Sequence, residues 1–176
     1  MRTTPVGSII GAVAGLVFVL VNAGAVPASL VWRVAALAAF AAVLWFVVVR
    51  GRAVDPVAPS RSALRTYGFS VVAMVVAIPV GARVVSNVLD RPHAVVVWVV
   101  FVVGAHFWPF ARAFDLPVFR WLSLSLVAIA VVGAIPALGS DSATAAGWTG
   151  VAAGFALLIF SAIGPRLSGR AGQRDA

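Results

Sequence analysis

Six stretches of fifteen to twenty-one residues, at 6–26, 30–49, 66–85, 94–108, 118–138 and 145–163, are built almost entirely from apolar side chains. A hydrocarbon core of roughly 30 Å takes about twenty helical residues to cross. Within lipid every backbone N–H and C=O must find a partner inside the protein, which leaves helices and closed barrels as the spanning structures. The blocks are about twice the length of a barrel strand and lack its apolar/polar alternation. The expected fold is therefore an all-α integral membrane protein, a six-helix transmembrane bundle forming a single domain over residues 1–176.

The connections after the first, third and fifth blocks are only a few residues long, so the chain is expected to form three helical hairpins. The longest connection, residues 50–65, carries Pro56, Pro59, Ser60 and Ser62 as turn signals. Each odd-numbered block has a proline in its later part, Pro27, Pro79 and Pro136, at spacings of 52 and 57 residues. That spacing is consistent with a weak threefold repeat of a two-helix unit. Interior prolines are tolerable because neighbouring helices or water can satisfy the carbonyls they free.

Arginine placement orients the bundle. All thirteen basic residues are arginine, all five acidic ones are aspartate, and Lys, Glu and Cys are absent. With the N-terminus inside, ten arginines (Arg2, Arg50, Arg52, Arg61, Arg65, Arg112, Arg120, Arg166, Arg170 and Arg174) are cytoplasmic and three (Arg33, Arg83 and Arg91) lie outside. The positive-inside rule then places both termini in the cytoplasm. The net charge of +8 is read as these inner-surface arginines facing anionic head groups of the lipid bilayer, not as a nucleic-acid site. The Ala/Val/Arg bias is that of a high-GC bacterial genome, which makes the bacterial cytoplasmic membrane the expected home. One alternative concerns the start, where Arg2, an apolar stretch and Ala23-Gly24-Ala25 resemble a cleavable signal peptide.

Chemistry is limited by what is missing. Without cysteine there is no thiolate metal site, thiol nucleophile or iron–sulfur cluster. No acidic residue lies in the middle of a block, which disfavours a carboxylate-based proton or cation carrier. Two distant histidines without Cys or Glu argue against a metal site, and no phosphate-binding or dinucleotide fingerprint is present. No cofactor is expected.

Two polar clusters and one glycine run remain. Asn22, Arg33 and Arg83 each fall roughly 24–26 Å from the cytoplasmic end of their helix at about 1.5 Å per residue, with Asp90, Arg91 and His93 in the loops above. They are candidate ligands of an outward polar pocket, or else arginines that snorkel to head groups with Asp90 and Asp141 as partners. The inner cluster surrounds His106, Arg112 and Asp115. Phe107, Phe110 and Phe114 share a helical face there, and Arg112 can pair with Asp115 three residues on. His106 is either a boundary residue of an aromatic anchor or a titratable group on a path. Gly7, Gly11 and Gly15 form a GxxxGxxxG run suited to close helix contact, within the monomer or in a homo-oligomer.

These features fit best a small, non-catalytic accessory or structural protein of the bacterial inner membrane. The alternative is a transporter or channel for a small, anionic solute, which needs Arg33 and Arg83 turned inward. A lipid-directed membrane enzyme is the third possibility and needs a converging nucleophile and base.

Overall fold

The computed structural model describes residues 6–49, 60–114 and 116–171. Among them the chain forms six long helices and no strand: α1 (Val6–Asn22), α2 (Ser29–Val49), α3 (Arg61–Arg83), α4 (Val95–Ala113), α5 (Pro117–Ser140) and α6 (Ala143–Ala171). All six are long and apolar enough to span a membrane. The protein is a multi-pass helical membrane bundle. Its outward faces agree with that solvent. Phe69 is 79% exposed and Ile135 75%, as expected of side chains that face hydrocarbon.

Helix ends differ from the sequence expectation where prolines intervene. α4 does not stop at Pro109 but continues to Ala113. A proline leaves the carbonyl four residues earlier without its donor and loosens the turn around it. Here Ser70 of α3 donates to the carbonyl of His106, 3.1 Å away, inside that turn. Pro79 lies inside α3, where Trp98 of α4 donates through Nε1 to the carbonyl of Ala77 at 2.9 Å. A π-helical turn, Val84–Val88, then extends α3. Pro136 lies inside α5, and the Ser140 hydroxyl donates to its carbonyl at 3.0 Å. Pro27, by contrast, lies beyond α1, after a 3-10 turn over Ala23–Ala25. The three prolines therefore do not occupy equivalent places in their helices.

The connections after α1, α3 and α5 each contain one residue in the left-handed region, Ala28, Asp90 and Asp141. Such a residue reverses the chain within a few positions. The hairpins are thus present as expected, but they are not the main packing units. α6 is the central helix, packed on α1, α2, α4 and α5. Its most extensive partner is α1, and α4 is similarly interlocked with α5. α3 leans on α4 alone among the long helices with substantial contact.

Small residues explain these choices. On α1, Gly15 lies against the backbone of α6, where an added β-carbon would stand 2.7 Å from the carbonyl oxygen of Gly154. Gly11 faces the Ser161 hydroxyl, and Gly150 accommodates Asn22. Gly104 of α4 is equally close to Leu126 and Val127 of α5. Without a hydrophobic force between helices in lipid, close backbone approach and dispersion contacts hold them together. Leu126, Leu157, Leu158, Val19 and Val100 are fully buried in the interior.

Candidate functional site

At the hairpin end of the bundle, the α3–α4 connection is tied to the end of α5. The His93 ring meets an Asp141 carboxylate oxygen through Nδ1 at 3.0 Å, and the His93 backbone N–H donates to the other oxygen at 3.2 Å. Arg91 donates through Nε to the carbonyl of Leu138 at 3.0 Å, one of the acceptors left open as α5 ends. Asp141 can serve both His93 groups because it caps α5 in the left-handed conformation, turning its carboxylate back toward α4. Asp90 is exposed and forms no hydrogen bond or ion pair among the described residues.

The other candidates at this end do not join that group. Asn22 donates to the carbonyl of Phe18 at 2.8 Å and packs over Gly147 and Gly150 of α6, so it serves the α1–α6 contact. Arg33 is exposed, and its guanidinium lies beside Gly24 at the α1–α2 turn. Arg83 is exposed on α3 and has no ion pair among the described residues. α2 packs on α1 and α6 while α3 packs on α4, so the packing does not bring Arg33 and Arg83 into a shared cavity. A crevice of about 470 Å³ opens between α5 and α6 and is lined by Val132, Pro136, Trp148, Thr149 and other residues, mostly apolar, with no arginine.

The opposite end is aromatic. Phe107, Phe110 and Phe114 do share a face, with Phe110 stacked on Phe114 at 4.6 Å between ring centres. Phe119 from α5 stacks on Phe107 at 5.7 Å, and Tyr67 from α3 meets Phe110 edge-on at 5.3 Å. His106 sits among them, 5.2 Å from Phe107. Ser70 has one proton. Given to the His106 carbonyl, it leaves the Ser70 oxygen to accept from Nδ1–H of His106, 2.8 Å away. The two contacts tie α3 to α4.

Arg112 and Arg120 both approach the Trp108 ring, at 5.5 and 5.8 Å from its centre. The expected partner of Arg112, Asp115, lies outside the described residues.

Sequence reasoning did not single out Ser70, Trp98, Ser123 or the role of Arg120. A signal for Ser70 exists. Residues 70 and 106 are equidistant from position 88, so folding the third and fourth blocks about their short turn sets the two polar residues opposite each other. Ser123 donates to the Gly104 carbonyl at 2.7 Å, beside the close approach of Leu126 and Val127 to that glycine.

Geometry and fold define a multi-pass α-helical membrane protein whose polar groups mostly lock helices together. Comparison with protein-family models, curated proteins and solved structures yields no match.

Proposed function

We propose that this chain is a small multi-pass component of the bacterial cytoplasmic membrane that performs no reaction of its own and serves as an accessory or structural element. The observation supporting this is the filled interior. α6 occupies the centre, Ala153, Leu157 and Leu158 are at most 2% exposed, and α1 lies close against α6 where Gly15 meets backbone and Gly11 meets the Ser161 side chain. A solute path needs a polar cavity at mid-depth between helices. Neither the crevice between α5 and α6 nor the one beside Trp121 is lined by Arg33 or Arg83.

In this proposal the arginine-rich end faces the cytoplasm, following the ten-to-three distribution. Arg33 and Arg83 reach the outer head groups, and the Arg91, His93 and Asp141 contacts fasten the outer turns. Reconstitution into liposomes tests the proposal. Flux of small anions should equal that of protein-free vesicles. Flux above that level, lost in Arg83→Leu, would establish the transporter instead.

A further inference from the structure

The corner where α4 turns into α5 gathers positive charge around one indole. Trp108 and Arg112 are one helical turn apart on α4, and Arg120 comes from the first turn of α5. Both guanidiniums lie within the range of about 6 Å at which a cation is attracted to an indole face. Both arginines are exposed, and neither forms an ion pair among the described residues. Asp115 lies between the two arginines in sequence; counted as fully ionised against them, it still leaves residues 108–121 net positive.

The corner is also held in shape. Phe119 beside Arg120 stacks on Phe107 beside Trp108. Backbone bonds from Leu116 to the Ala111 carbonyl and from Phe119 to the Leu116 carbonyl, 3.1 and 3.0 Å, tighten the turn. The backbone that carries the two arginines is therefore ordered before anything binds, which lowers the ordering cost of binding. A crevice of about 200 Å³ begins at Arg120 and is otherwise lined by Pro117, Trp121 and Leu124. Trp121 is 65% exposed, as expected of an indole at the level of lipid head groups.

We propose that this corner binds the phosphate of an anionic membrane lipid. The guanidiniums of Arg112 and Arg120 hold phosphate oxygens, and an acyl chain runs along the Pro117–Trp121–Leu124 crevice. Planar guanidinium suits phosphate through paired N–H donors. The apolar crevice next to the charge selects a lipid over free phosphate, which would leave it empty. The proposal rests on the membrane placement above, but not on the absence of a reaction or transport.

The test uses the full chain in a neutral detergent, with lipid binding read by native mass spectrometry. Phosphatidylglycerol should bind more tightly than phosphatidylcholine of the same acyl chains. Arg112→Gln with Arg120→Gln should weaken phosphatidylglycerol roughly thirtyfold, the effect of two basic side chains at a membrane surface. Arg83→Gln should leave it unchanged. Arg112→Lys with Arg120→Lys keeps the charge without the planar fork and should retain part of the preference. Equal binding of the two lipids by the unaltered chain overturns the proposal without recourse to any variant. Full retention of binding in the double Gln variant also overturns it. Displacement of the lipid by millimolar inorganic phosphate would overturn the lipid assignment in favour of a free anion. Anion flux in liposomes, by contrast, would overturn only the proposed function.

Discussion

A β-carbon added at Gly15 would press on the backbone oxygen of Gly154, whereas one added at Gly7 would meet nothing within 4 Å. The two glycines belong to one sequence motif but have different physical roles. Gly15→Leu should lower the melting temperature in detergent, because overpacking against an unyielding backbone typically costs about 1–3 kcal/mol. Gly7→Leu should leave it unchanged. Equal effects at the two positions would mean that α1 does not pack on α6 through this face. Ser70 offers a second comparison. Ser70→Ala removes the partner of His106 Nδ1 and should cost roughly 0.6–1.7 kcal/mol, from the average to the largest value measured for hydrogen bonds between membrane helices. In a background of His106→Phe, the same change should cost less, which a double-mutant cycle resolves.

Among the elements, α3 is the least secured. It packs chiefly on α4, through Ser70 at one level and Trp98 near its other end. The Trp98 indole also lies directly on Gly81, so one side chain both fills the groove and supplies a donor near Pro79. Trp98→Phe retains most of the buried surface but loses the bond to Ala77. Hydrogen exchange should then accelerate in α3 while α1 and α6 keep their protection, since local opening follows the weakest contacts. Uniform acceleration across all helices would show that α3 is not an independent unit. The π turn at Val84–Val88 was not legible in the sequence, because it depends on how the chain closes onto the Pro92–Ala94 turn.

For the whole molecule, orientation is the property with most consequence, since it decides which arginines meet the anionic leaflet. A reporter active only in the periplasm, fused after Gly172, should give no signal. A strong signal would reverse the proposed orientation or the parity of crossings. The lipid corner is tested separately, because Arg112 and Arg120 would still lie at a head-group level if the bundle were inverted.

Apolar block length by itself determined the class, the number of helices and the hairpin turns, since few backbones satisfy their own hydrogen bonds in lipid. It also indicated that Phe107, Phe110 and Phe114 would share a face, because that follows from helical period alone. Which helix lies at the centre was not legible. α6 and α1 are far apart in sequence, and small residues allow close contact without naming a partner. The same reason separates the candidate residues. Asn22, Arg33 and Arg83 were placed at one depth by counting along each helix, but depth says nothing of rotation about the helix axis or of neighbours. Only tertiary packing set Asn22 against Gly150, left the two arginines on different helices' outer faces, and brought Arg120 to the indole already flanked by Arg112. Local periodicity decides what a segment becomes; complementarity between distant segments decides what it touches.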